Sequence, residues 1–219
     1  MEVTSKLVDK LYNECIEFAN SIMHKDLQEC CIGIYTQYCK QIKNAPCSTG
    51  SHHAYPGGLL VHTHHVTRNA LMIAEAYPEV HCDHDLIIFG GLLHDIGKIQ
   101  TYSNSDYRTD IDRAESRHVL LGHTYCGVQI VEQAFRAYDI DPLLRDQALH
   151  MIGSHMNAYD HGGQLVTPKM IEVRILNMAD GIDAYLEPTV DVLSNVSRGE
   201  EYHTTNLEGN LYRTHNPFF

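Results

Sequence analysis

Positive charge is scarce in this chain. Sixteen lysines and arginines face 28 aspartates and glutamates, a net charge of −12 over 219 residues. Extended nucleic acid is therefore not an expected partner, because affinity for it comes largely from neutralising phosphates with a broad basic surface. A small phosphorylated substrate stays open, since bound cations can supply the positive field locally. Long apolar runs are missing too. The nearest approach, Leu86 to Leu93, is far too short to cross a bilayer, so no membrane partner is expected. The seven cysteines form no C-x-x-C pair and no even framework. Together with the absence of a secretory leader at Met1–Lys6, this points to a reducing, cytoplasmic location. No stretch alternates apolar and polar residues as a strand would, and an all-α fold is expected.

Histidine is what the chain has in excess: 16, as many as all lysines and arginines together. His161 and His215 read as surface residues. The length supports one sizeable core. Thr4-Ser5 opens a first helical pattern through Leu7, Leu11, Cys15, Phe18 and Ile22, and a second runs from Leu27 to Ile42. Both read as a packing layer that could also form a homodimer surface. Asn44 to Gly58 reads as a loop, and His52, His53 and Tyr55 within it are candidate substrate contacts, since loops often carry binding residues. A helix from Leu59 to Tyr77, ended by Pro78, carries His62. His64 and His65 are expected to face solvent or a cavity rim.

The next helix, capped by Asp83 or Asp85, runs into Gly90-Gly91-Leu92-Leu93-His94-Asp95-Ile96-Gly97-Lys98. A buried imidazole and carboxylate side by side are costly unless something compensates them, and a metal ion does so. Gly97 fits a helix C-terminal stop that leaves His94 and Asp95 on the last turn. Gln100 to Arg113 reads as a polar loop. A helix from Ser116 to Tyr138 follows, with His118 and His123 in its first two turns; Cys126 is read as a packed thiol. Another runs from Leu143 to Met156 and carries His150 and His155. The last, Pro168 to Leu186 with proline at its first position, carries Asp180 and Asp183. Beyond it, Ser197 to Phe219 reads as a loosely held tail.

His62, His94-Asp95, His123, His155 and Asp180 thus stand on separate helices, and helices of a bundle can turn such groups into one cavity. Imidazole and carboxylate without thiolate suit Fe, Mn, Co, Ni or Zn. Six ligands exceed what one open catalytic ion needs and suit two ions sharing a bridging carboxylate.

The order of these residues resembles the HD-domain metal-dependent phosphohydrolase superfamily, whose pattern is His, then His-Asp, then a distant Asp. The stretches His52–His62, Leu92–Lys98, Leu120–His123 and Ser154-His155 look most like the HD part of YhaM-type 3′–5′ exoribonucleases. The resemblance implies an HD-domain helical bundle with its metal site in the core. It implies one divalent ion held by His62, His94, Asp95 and Asp180, and a second held by Asp95, His123 and His155. The family often has a histidine just after the one at 155, where this chain has Met156-Asn157, so the second ion is expected to be weaker or absent. YhaM-type enzymes also carry an OB-type module for which this chain shows no strand pattern.

The expected organisation is N-terminal helices over residues 1–45, a metal-binding HD domain over 46–190 and a tail over 191–219. The expected activity is hydrolysis of a phosphate mono- or diester, nucleotide-like or a short oligonucleotide, by a metal-activated water. Asp95 and Lys98 are the expected catalytic residues, with Lys98 also on the substrate phosphate. Arg68, Arg117 and His118 are weaker candidates for substrate contact. Asp183 is expected to support a ligand histidine. Two alternatives share the ligand set: a nucleotide-binding regulatory HD domain without catalysis, and an HD-type di-iron oxygenase.

Overall fold

Leu86, Ile87, Ile88, Phe89, Leu92 and Leu93 are all at most 5% exposed, so the helix that bears them is buried on every side. Each such side chain contributes about 1.5–3 kcal/mol relative to exposure, which is why this segment is apolar without any period. In the computed structural model, which describes residues 4–50, 52–102, 111–156, 164–203 and 211–214 (backbone alone over 111–115), this helix is the fifth of nine. They are α1 (Ser5–Asn20), α2 (Lys25–Gln37), α3 (Cys39–Asn44), α4 (Gly58–Ala76), α5 (His84–Leu93), α6 (Lys98–Thr101), α7 (Ile111–Phe135), α8 (Pro142–Gly153) and α9 (Ile171–Ser194). A single 3₁₀ turn, Pro78–Val80, follows α4. The fold is all-α apart from two-residue strands β1 (Glu201–Tyr202) and β2 (Leu211–Tyr212), paired antiparallel and too short to show an alternation in sequence.

Around α5 pack α1, α2, α4, α8 and α9. Leu11, Cys15 and Ala19 of α1 and Leu27, Cys31 and Ile34 of α2 belong to the same apolar cluster as α5 and α9. The apolar stripes of the two N-terminal helices thus pack into this core, as expected of a packing layer. Asp83 caps α5, accepting from the N–H groups of Asp85 and Leu86. The Asp85 carboxylate instead accepts from the backbone N–H groups of Met23 and His24, tying the α1–α2 turn to α5.

Several boundaries differ from the sequence expectation, each for a local reason. The second helix breaks at Tyr38 (φ −105°, ψ 17°) into α2 and α3. Gly97 is not a left-handed stop: its φ is −63°. It is required by space, since a Cβ there would lie 1.9 Å from the His123 carbonyl oxygen and 2.5 Å from the Gly127 nitrogen. α7 begins at Ile111 and is interrupted at Gly122 (φ 73°, ψ 158°), a conformation essentially confined to glycine. α8 stops at Gly153, which leaves His155 beyond it, and α9 starts at Ile171 rather than Pro168 and continues through Pro188 to Ser194. His64 does not face solvent; it is 8% exposed and lies 2.8 Å from Glu14 of α1. Of the polar loop expected from Gln100 to Arg113, Gln100 and Thr101 belong to α6 and residues 111–113 to α7, while residues 103–110, Asn157, His161 and His215 fall outside the described residues. Among the described residues, no helix is long and apolar enough to cross a membrane.

Candidate metal centre

His94 caps the C-terminus of α5, and Asp95 follows in the turn before α6. That turn lies directly on the α7 backbone at His123 through the Gly97 contact. α4 brings His62 and α9 brings Asp180 from the other side, since both helices pack on each other and on α5. The six expected metal ligands come together. His62, His94 and Asp180 form one group and Asp95, His123 and His155 another, each with its ligand atoms within 4.8 Å of one another.

Asp95 joins the two groups. Its Oδ2 lies 3.4 Å from the Nε2 atoms of both His62 and His94, while Oδ1 lies 3.3 Å from His123 Nε2 and 3.6 Å from His155 Nε2. Asp180 Oδ1 is 3.2 Å from His62 Nε2.

Partners behind the rings settle which nitrogen carries the proton. His94 Nδ1–H donates to the Gly91 carbonyl at 2.9 Å and His155 Nδ1–H to the Ile152 carbonyl at 2.8 Å. A carbonyl can only accept, so both Nε2 atoms point inward with lone pairs. His62 Nδ1 lies 2.7 Å from Asp183 Oδ2, which orients it the same way. Acceptors then face acceptors: His62 Nε2 and His94 Nε2 are 3.2 Å apart. Asp95 Oδ1 and His155 Nε2 are buried without a hydrogen-bond partner. Buried acceptors converging in this way fit a cation between them.

The electrostatics agree. Burial alone would lower the His62 pKa, yet Cys47, Asp180, Asp183 and Asp95 raise it well above the ordinary value. A field that favours a proton on this imidazole favours a metal cation in its place. Burial works against ionised Asp95 and Asp180, but Lys98 and His94 for the first, and His62 for the second, hold both below the usual carboxylate range. Burial brings His123 down to about 3, so its imidazole is neutral at ordinary pH.

Asp183 accepts from three imidazoles at once: His62 and His53 on Oδ2, the latter at 2.9 Å, and His65 on Oδ1 at 2.8 Å. His53, expected from sequence among the substrate contacts, has both ring nitrogens engaged. Its Nε2–H donates to Asp183, and its Nδ1 accepts from the Tyr55 hydroxyl at 2.6 Å. Its backbone is left-handed (φ 48°). His52 packs its ring 5.1 Å from that of His62. Lys98 is 7% exposed and places Nζ 2.6 Å from Asp95 Oδ2. Arg117 is held by Gln100 and Gln129, and the His118 ring lies 5.0 Å from that of Tyr102, tilted by 43°.

Sequence reading missed Cys47. It assumed a centre without thiolate, yet Cys47 Sγ sits 3.4 Å from Lys98 Nζ and 4.0 Å from Asp95 Oδ2, completely buried. The available signal was its place five residues before His52 in the same loop.

The family model of the HD domain matches residues 59–185, more than half of the chain. The chain belongs to the HD-domain family. A helicase-type family model, TraI_2, also matches residues 4–78, about a third of the chain. Among curated relatives of this HD-domain protein, the 3′–5′ exoribonuclease YhaM of Bacillus licheniformis is 26% identical over 192 residues, covering 88% of the chain and 59% of the relative. YhaM of Shouchella clausii is 30% identical over 156 residues, covering 71% and 47%. The dihydroneopterin 2′,3′-cyclic phosphate phosphodiesterase of Methanocaldococcus jannaschii is 29% identical over 180 residues, covering 80% and 65%. The chain thus spans about half to two thirds of the length of these relatives. No solved structure matches it.

Proposed function

We propose that this HD-domain protein is a metal-dependent hydrolase of phosphate esters, acting on a small nucleotide-like mono- or diester. One observation carries the reading: a single buried carboxylate, Asp95, turns one oxygen to His62 and His94 and the other to His123 and His155. That is the arrangement in which two ions share a bridging ligand. His62, His94, Asp95 and Asp180 would hold one ion; Asp95, His123 and His155 would hold the second. When bound, the ions supply a water nucleophile at neutral pH and neutralise charge on the phosphoryl oxygens. The borderline transition metals Fe, Mn, Co, Ni and Zn suit the imidazole and carboxylate donors.

The chain's own residues do the rest. Lys98 holds an ammonium beside Asp95, in reach of a non-bridging oxygen whose charge grows in the transition state. Burial opposes that charge, but Asp95 and Cys47 raise the Lys98 pKa well above its ordinary value, so the ammonium keeps its proton. Asp183 holds the His62 ring in place. The Asp180 side chain, 17% exposed, is the most exposed of the six, and substrate would approach from its side. The relatives' printed activities, RNA hydrolysis and cyclic-phosphate hydrolysis, both break phosphodiester bonds and support this substrate class. The net charge of −12 favours a small ester over extended RNA.

The test is turnover of generic phosphodiester and nucleotide substrates by the wild type and Asp95→Ala with added Mn²⁺, run without oxygen. Activity in the wild type and none in the variant is the expected result. Full turnover by Asp95→Ala, or a strict need for O₂, would defeat the proposal.

A further inference from the structure

Three of the seven cysteines, Cys15, Cys30 and Cys31, lie in the apolar core cluster, where a free cysteine behaves as a small hydrophobe. Cys47 is as deeply buried but has different company. It sits in the loop between α3 and α4, fixed by the hydrogen bonds Cys47 N–H to the His53 carbonyl at 3.1 Å and Leu59 N–H to the Ala45 carbonyl at 3.1 Å. Its sulfur faces Lys98 Nζ at 3.4 Å and Asp95 Oδ2 at 4.0 Å. The ligand atoms of Cys47, His52 and His62 lie within 4.8 Å of one another. No apolar packing role accounts for a thiol placed among an ammonium, a carboxylate and imidazoles.

We propose that Cys47 is a thiolate ligand of the ion held by His62, His94, Asp180 and Asp95 Oδ2. The proposal rests on the reading of that group as an ion site. The distances suit it. Metal–sulfur and metal–oxygen bonds of about 2.3 Å and 2.1 Å together span about 4.4 Å, so one ion can reach both Cys47 Sγ and Asp95 Oδ2 across their separation of 4.0 Å. The Lys98 ammonium, 3.4 Å from the sulfur, favours the thiolate form that a metal ligand needs. Lys98 then has a structural task as well, holding the thiolate and the Asp95 carboxylate together. A soft sulfur donor changes the ion the site prefers, toward Zn²⁺ and Co²⁺ and away from Mn²⁺.

The experiment is a Co²⁺ titration of the metal-stripped full chain followed by visible and near-ultraviolet absorption. It compares the wild type, Cys47→Ser and, as a control, Cys126→Ser, whose thiol is packed near Arg117. The expected wild-type spectrum has cobalt d–d bands plus an intense sulfur-to-cobalt charge-transfer band. Cys47→Ser keeps the d–d bands and loses the charge-transfer band; Cys126→Ser keeps both. Competition should show the Zn²⁺ affinity of Cys47→Ser falling about tenfold or more, with Mn²⁺ affinity little changed. Wild-type d–d bands without charge transfer, or charge transfer that survives in Cys47→Ser, overturn the Cys47 assignment and leave the ion site standing. Absence of any cobalt band overturns both. Should Cys47→Ser not fold, cadmium NMR of the wild type decides: a sulfur-deshielded resonance supports the ligand, and a resonance typical of nitrogen and oxygen donors alone overturns it.

Discussion

Among the six candidate metal ligands Asp183 hydrogen-bonds His62, and that bond orients the ring. Its carboxylate is held below the usual range by the hydrogen bonds of His53, His62 and His65, which outweigh burial. Asp183→Asn replaces an oxygen acceptor by an amide donor facing imidazole N–H groups. The variant is expected to lose about 10- to 100-fold in metal affinity, measured by calorimetry, while its far-ultraviolet circular dichroism stays unchanged. Unaltered affinity would show that packing alone orients His62. At this scale the sequence was informative where a residue sat in a helical pattern or beside another ligand: His62, the 94–95 pair and Asp180. For Cys47 it offered only nearness to His52, because a loop has no period that says where a side chain points. It also gave no sign that His53 turns inward, since that depends on a left-handed backbone at one residue.

At the level of elements, two glycines decide where a ligand lies. Gly122 breaks α7 immediately before His123, and the break turns that imidazole toward Asp95. Gly97 allows the turn carrying the His-Asp pair to rest on the α7 backbone. Gly122→Ala is expected to cost on the order of 1–3 kcal/mol through its backbone conformation, read from denaturant unfolding. Gly97→Ala should be worse, because the clash is with backbone that cannot rotate away, and should weaken ion binding as it separates His123 from Asp95. Equal stability of Gly97→Ala and wild type would contradict that packing. Helices α1 and α4 were legible from apolar spacing, α5 from its continuous apolar run, and α1 and α5 also from the Thr4 and Asp83 caps, both of which accept backbone N–H groups. The breaks at Tyr38 and Gly122 were not. A helix-period pattern continues across a kink, and only the packing of the flanking segments shows that the axis has turned. The run of α9 through Pro188 was hidden for the opposite reason: proline reads as a stop, although this helix carries it within its last two turns.

For the molecule as a whole, folding and ion binding should be coupled. Each ion bound only by the folded chain stabilises it by about 2.7 kcal/mol at a hundredfold excess over its dissociation constant. For a domain of this length that corresponds to roughly 5–10 °C in Tm. Chelation is expected to lower Tm by that amount and addition of Zn²⁺, Co²⁺ or Mn²⁺ to restore it; a Tm indifferent to chelator would mean that no ion was held. The all-α architecture was readable from the absence of alternation, and the packing-layer role of α1 and α2 from their apolar stripes, which join the core cluster. The convergence of the six candidate ligands was legible only as an inference, since no single segment contains it. The position of α5 has one more implication. The His94-Asp95 pair hangs from the part of the chain enclosed on all sides, where amide hydrogens should exchange with solvent only when the whole protein opens. The end of α9 beyond Pro188 should exchange first. Heating such a molecule should not wear its activity away by degrees; catalysis and tertiary structure should disappear in one cooperative event.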